Sequence, residues 1–194
     1  MFRKLFLLLF VALIVVTSPA RAQTPSPTPA TVSEELAKLY QADQADRDSD
    51  WSKLSPQEFE ALQARDRQRR ERVREIVRAR QLSTADDYFY AATILQHGNE
   101  PQHFLLAHVL ANIAAFRGHK DGKWLSAATL DRYLASTKQD QFFGTQFFAE
   151  GSLSFQDMKL HPPLNGLVTE TLQKEFNVPP PEETLKRIKE SQPK

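Results

Sequence analysis

Apolar residues recur every three to four positions through most of the chain, which is the periodicity of helices packed on a core. Thr31 and Glu34 are spaced as a capping box, and Leu36, Leu39, Tyr40, Asp43 and Arg47 follow on one stripe. "LSPQEFEAL" opens a second helix, with Ser55 as cap, Pro56 in the first turn and Glu58 three residues past the cap. It is predicted to run to about Gln81. Ser83 or Thr84 caps a third helix that ends at the His-Gly-Asn of residues 97–99. "PQHFLLAHVLANIAAFRG" is apolar on nearly every side and predicts a central, buried helix, and "WLSAATLDRYLAST" predicts a fifth.

After Lys138 the character changes. "QFFGTQFF" and "SLSFQDM" are aromatic-rich segments separated by "AEGS", which predicts a β-hairpin with Gly151 in the turn and Ser152 and Ser154 beside it. Leu167, Leu172 and Phe176 suggest a last short helix before a charged, Pro-rich tail from residue 179 to residue 194. The expected fold is mainly α, a bundle of five to six helices with a small β-hairpin in the C-terminal third, all in a single domain spanning residues 33–178.

The N-terminus changes where this domain is expected to work. "MFRK", the twelve-residue apolar run "LFLLLFVALIVV" and the small-x-small end Ala20-Arg21-Ala22 have the three-part layout of a secretory signal peptide over residues 1–22. The run is short for a membrane span, so export to the periplasm or the extracellular space is expected, with no span left after cleavage. "QTPSPTPATV" reads as an extended linker over residues 23–32. Three of the 25 basic residues (Arg3, Lys4 and Arg21) and none of the 24 acidic ones fall in the signal, so the remainder is slightly acidic and does not recommend a nucleic-acid partner. With no cysteine the exported domain must be held by its core alone.

Candidate chemistry lies where polar residues interrupt apolar stripes. In the second helix Phe59, Leu62, Asp66, Arg69, Val73 and Ile76 form one stripe with two ionic residues in its middle. Asp43 and Arg47 end the stripe of the first helix, and Asp131 and Arg132 follow Ala127 and Leu130 in the fifth. Ionised groups facing a core must be paired and hydrogen-bonded, so these sets are expected to meet one another or the polar atoms of "QFFGTQ". Such a network is either a lock on the fold or the floor of a site. The remaining arginines of "RDRQRRERVREIVRAR", residues 65–80, read as a solvated face laced with ion pairs.

None of the five histidines forms an i, i+4 pair, so no metal site is expected. His97 ends a helix, where it can cap carbonyls or act as a general base. No cysteine, no G-x-S-x-G elbow and no glycine-rich phosphate loop occur, which disfavours hydride-transfer cofactors and nucleotides.

Four short blocks carry a resemblance: "DQADR" from Asp43 to Arg47, "LQHG" with Gln96 and His97, "LDRYL" with Asp131 and Arg132, and "QFFGTQ" from Gln141 to Gln146. Together they resemble a family of bacterial proteins of unknown function whose pattern is Asp-Gln-x-x-Arg, Gln-His, then Asp-Arg followed by Gln-x-aromatic-Gly-Thr-Gln. The resemblance covers residues 36–176. The chain departs from it near the end, where Gly166-Leu167 lacks a preceding arginine. The family brings no activity, but it draws attention to these polar positions.

Three readings follow. The first is a binding module for a small molecule or peptide, in which Asp131 orients Arg132 to hold an anion, Gly144 admits close approach, and Gln141, Thr145 and Gln146 supply hydrogen bonds. The second is a hydrolase-like enzyme with His97 as base, Asp131 orienting it, and Arg132 with Gln146 stabilising an oxyanion. The third is an envelope or partner-binding protein that docks through the arginine helix, with an apolar patch beside that helix and no enclosed pocket.

Overall fold

The computed structural model describes residues 29–48, 53–149 and 155–190. Among them are seven α-helices and one two-stranded sheet: α1 Pro29–Arg47, α2 Pro56–Arg78, α3 Ala85–Leu95, α4 Pro101–Phe116, α5 Gly122–Ser136, β1 Phe147–Phe148, β2 Lys159–Leu160, α6 Glu170–Glu175 and α7 Pro181–Glu190. The fold is mainly helical, with its small antiparallel sheet late in the chain.

Side-chain caps explain where the helices begin. At α2 the Ser55 amide donates to Glu58 (2.8 Å) and the Glu58 amide donates to Ser55 Oγ (3.3 Å). At α3 Thr84 is the cap, exchanging the same two bonds with Asp87, whose carboxylate also takes the Ser83 amide. The linker expected to reach residue 32 is already helical from Pro29, because proline is tolerated in a first turn, and Val32 is fully buried. Residues 1–22, expected to be a signal peptide, lie outside the described residues.

The core gathers Val32 and Leu36 from α1, Val73 and Ile76 from α2, Ile94 and Leu95 from α3, Leu110 and Ala111 from α4, and Leu125 from α5. The central helix is α3, which touches α1, α2, α4 and α5. The sequence pattern had pointed to α4 instead. That helix buries Phe104, Ala107, Leu110, Ala111 and Ala114 between α3 and α5, but leaves Leu105, Val109 and Phe116 exposed on its outer side. Apolar residues all round a helix therefore do not ensure burial all round.

At the α4–α5 turn the two helix backbones nearly touch. A Cβ on Gly122 would stand 2.5 Å from the Ala115 nitrogen and 2.8 Å from its Cα, and backbone atoms cannot swing aside. Gly122→Ala is therefore expected to destabilise the protein by about 2–3 kcal/mol through overpacking, read as a fall in thermal midpoint with helical circular dichroism retained below the transition.

The C-terminal third also differs in detail from the pattern. β1 pairs with β2, Phe147 opposite Leu160, whereas Phe155–Asp157 of the expected second strand forms a 3-10 turn. Gly151, Ser152 and Ser154 lie outside the described residues. The expected tail is partly structured: α7 starts at Pro181, which is buried, and Gln156 Nε2 donates to the Lys189 carbonyl. Its charged residues face outward at i, i+4 spacing, as in the Arg187–Glu183 pair, so charge and proline in the sequence concealed a helix.

Candidate functional site

The polar residues singled out in the sequence separate into two constructions on opposite sides of one position in α5. Asp131 and Arg132 are neighbours in sequence, and successive helical side chains diverge by about 100°. Their destinations differ accordingly.

Asp131 is fully buried and belongs to a knot. Its Oδ1 accepts the amides of Phe142 (2.8 Å) and Phe143 (3.0 Å), and its Oδ2 accepts the amide (3.0 Å) and hydroxyl (2.8 Å) of Thr145. Gln141, also fully buried, donates from Nε2 to the carbonyls of Gln146 (2.9 Å) and Pro162 (2.6 Å) while its Oε1 accepts the Gln146 amide (2.8 Å). Gln146 Nε2 reaches back to the Ala128 carbonyl of α5 (3.2 Å) and to Thr145 Oγ1 (3.0 Å). Gly144 has φ +79°, and a Cβ there would lie 2.6 Å from Pro181 Cγ, so the close approach it permits is to the start of α7. The Gln141 side chain, the Thr145 hydroxyl and the Gln146 side-chain amide NH₂ thus all bond within the protein, and a small apolar cluster of Ala127, Phe143 and Val178 packs beneath the block. The donors bonded to Asp131 come from this loop; Arg132 is not among them.

Arg132 instead turns toward the end of α3, where its Nη1 donates to the Gln96 carbonyl (3.0 Å). Arg70 of α2 donates to the next carbonyl, that of His97 (3.0 Å). Two guanidinium groups thus sit at the negative end of the α3 dipole. The α1 and α2 ionic pairs meet here, as their stripes required. Arg47 Nη2 bridges Asp66 (2.8 Å) and Asp43 (3.3 Å), and Arg69 Nη2 bonds Asp66 (2.6 Å) and Asp46. Arg65 adds a fork onto Asp46 (3.1 and 2.9 Å).

His97 completes the cluster, with Asp43 rather than Asp131 as its partner. Its Nδ1 is 3.0 Å from the Asp43 carboxylate, which is 1% exposed. The α3 helix packs against α1, and that contact brings together residues 54 apart in the chain. Burial holds the His97 pKa below its ordinary value of 6.5; Asp43 works against this shift, while the charges of Arg47 and Arg132 add to it. The ring is therefore neutral near pH 7. Its Nδ1–H points to Asp43 and its lone pair sits on Nε2.

Beside His97 opens a cavity of about 300 Å³. Its polar lining includes Arg47, Arg67, Arg70, Arg132 and Asp66. Although burial works the other way, hydrogen bonds from Arg47 and Arg69 keep the Asp66 carboxyl below its ordinary pKa, so it stays ionised. Arg47 is balanced by Asp43 and Asp66, so the positive character of the lining comes from Arg67, Arg70 and Arg132. Arg132 Nε is buried with no hydrogen-bond partner among the described residues. Gln141, Gly144, Thr145 and Gln146 do not line this cavity.

Arg70 was not singled out by the sequence. It lies beside the ionic stripe, four residues after Asp66, so the solvated-face reading absorbed it, yet it is only 7% exposed. The rest of that face does carry surface ion pairs, including Arg72 with Glu35 and Glu75, and Arg74 and Arg78 with Glu71.

A second histidine group has the composition of a nucleophilic triad and none of its properties. His108 Nδ1 donates to the Ser126 carbonyl (2.9 Å), Asn112 Nδ2 donates to His108 Nε2 (3.1 Å), and Ser126 Oγ donates to Asn112 Oδ1 (3.1 Å). The imidazole lone pair is taken by Asn112, and Ser126 is fully buried. These residues fasten α4 to α5.

Comparison of the chain with protein-family models, curated proteins and solved structures gave no match. Among the described residues no helix is long and apolar enough to cross a membrane, and no group of three His, Cys, Asp or Glu side chains is placed to hold a metal ion.

Proposed function

We propose that the protein is an exported binding module, periplasmic or extracellular, whose ligand is a small anion or the anionic end of a larger molecule. The observation that carries this reading is the cavity lined by four arginines and one aspartate, of which Arg67, Arg70 and Arg132 have no carboxylate partner among the described residues. Several guanidinium groups converging on one space repel one another. A bound carboxylate or phosphate would relieve that repulsion, and the guanidinium fork matches either anion.

Of the three sequence readings, this keeps Arg132 as a ligand-binding residue and adds Arg47, Arg67 and Arg70. It moves the ligand away from the Gln141–Gln146 block, whose hydrogen bonds are spent within the fold. The docking reading has less support. Among the described residues, apart from Phe59 at the cavity, the large exposed apolar residues lie on α4, α5 and the C-terminal segments, away from the arginine helix.

Calorimetric titration with inorganic phosphate, citrate and acetate at constant ionic strength tests the reading. At least one anion is expected to bind the wild type with a dissociation constant below about 1 mM, equivalent to roughly 4 kcal/mol. Arg67→Gln, an exposed change at the cavity that leaves packing intact, is expected to weaken binding about threefold to tenfold, and Arg132→Gln more. Heats for all three anions no larger than those of sodium chloride would remove the reading.

A further inference from the structure

Resting on the anion-pocket reading, we propose that the pocket takes the phosphoryl group of a phosphomonoester and that His97 is the catalytic residue that accepts it. With Arg47 paired to Asp43 and Asp66, the lining still presents Arg67, Arg70 and Arg132, more than a single carboxylate can balance, whereas a phosphoryl group brings two charges and three oxygens for guanidinium forks. These donors also fit the reaction, because they neutralise the oxygens that would otherwise repel an incoming lone pair.

The nucleophile is set by geometry. Asp43 holds the His97 ring through Nδ1 at 3.0 Å, which leaves the lone pair on Nε2 of a ring that lines the cavity. The charged groups around it are Asp43 and Arg47 from α1, Asp66 and Arg70 from α2, and Arg132 from α5. Burial and the nearby cations keep the ring unprotonated near neutrality, as the reaction requires.

In the first step the Nε2 lone pair bonds to phosphorus and the phosphorus–oxygen ester bond breaks. The bonding pair leaves on the alcohol oxygen, which takes a proton from water. In the second step the oxygen of a water molecule bonds to phosphorus and the phosphorus–Nε2 bond breaks, returning its pair to Nε2. The proton of that water neutralises the hydroxide left by the first step. The sum is ester plus water giving alcohol plus inorganic phosphate. Asp66 is ionised and the lining contains no other carboxyl, so no carboxylic acid is at hand to protonate the leaving group. The favoured esters are therefore those of acidic alcohols, such as aryl and enol phosphates.

The test uses p-nitrophenyl phosphate and its ³²P-labelled form with the wild type and His97→Asn, whose amide can still donate to Asp43. Turnover is expected in the wild type, with a protein-bound label that survives alkali and is lost in acid, as a phosphoramidate is. Rates are expected to fall as the pH drops below His97's pKa and the lone pair is protonated. His97→Asn is expected to lose about 100-fold or more in rate, to take no label, and to bind inorganic phosphate within about threefold of the wild type by calorimetry. Phosphate binding without turnover or label in the wild type, or equal turnover by His97→Asn, would overturn the role of His97 and leave the pocket standing. Absence of phosphate binding while another anion binds would overturn the phosphoryl class, and absence of all anion binding would remove both readings.

Discussion

Asparagine in place of Asp131 is expected to lower the thermal midpoint by about 6–20 °C. The carboxylate is fully buried and takes four donors, two on each oxygen. An asparagine can keep one oxygen on the Phe142 and Phe143 amides, but its NH₂ then faces the Thr145 amide. That arrangement orphans one buried N–H and removes the charge that strengthens the other bonds. The combined cost is about 3–5 kcal/mol, and a chain of this size loses roughly 2–4 °C per kcal/mol. Gln146→Ala serves as the comparison. It gives up the bonds to Ala128 and Thr145 but keeps the backbone bond to Gln141, so a loss of about 1–2 kcal/mol is expected. Differential scanning calorimetry of wild type and both variants checks the order. An Asp131→Asn variant as stable as the wild type would mean that the carboxylate is retained for something other than holding the loop.

Much of this was legible in the sequence, and the limits have a physical cause. Capping boxes and apolar periodicity are local signals, so the starts of α2 and α3 and the stripe Leu62, Asp66, Arg69, Val73 and Ile76 could be read directly. The ionic residues within that stripe also implied buried partners, and Arg47 with Asp66 met that requirement. What could not be read was which long-range partner each would find. Asp131 and Arg132 look like a pair in sequence, yet adjacent helical positions diverge, and one enters the knot while the other enters the cavity. His97 found Asp43 through the packing of α3 on α1, a contact that no local spacing encodes. The α7 helix was concealed for a different reason. It buries chiefly its first residue, Pro181, so its sequence carries charge and proline where a helical stripe would be expected.

The second large effect is expected at Asp43, where the fold and the proposed site share one carboxylate. Asp43 faces Arg47 at 3.3 Å, the Gln44 amide at 2.9 Å, His97 Nδ1 at 3.0 Å and Arg69 Nε at 4.0 Å, from a position 1% exposed. Asp43→Asn keeps the shape and an acceptor for His97 but removes a buried negative charge from among Arg47, Arg69 and Arg132. Uncompensated buried charge of this kind costs about 3–5 kcal/mol. Asp46→Asn removes the same charge from the partly exposed end of the network, where water screens the loss, and about 1 kcal/mol or less is expected. The His97 titration reads the same change independently of stability. Asp43 raises the His97 pKa against the effect of burial, so the variant's imidazole is expected to stay neutral to still lower pH, as followed by ¹⁵N NMR of the ring. If Asp43→Asn and Asp46→Asn cost the same and His97 titrates unchanged, Asp43 neither balances the arginines nor holds the imidazole. The cluster would then be an ordinary surface ion network, with no prepared base at its edge.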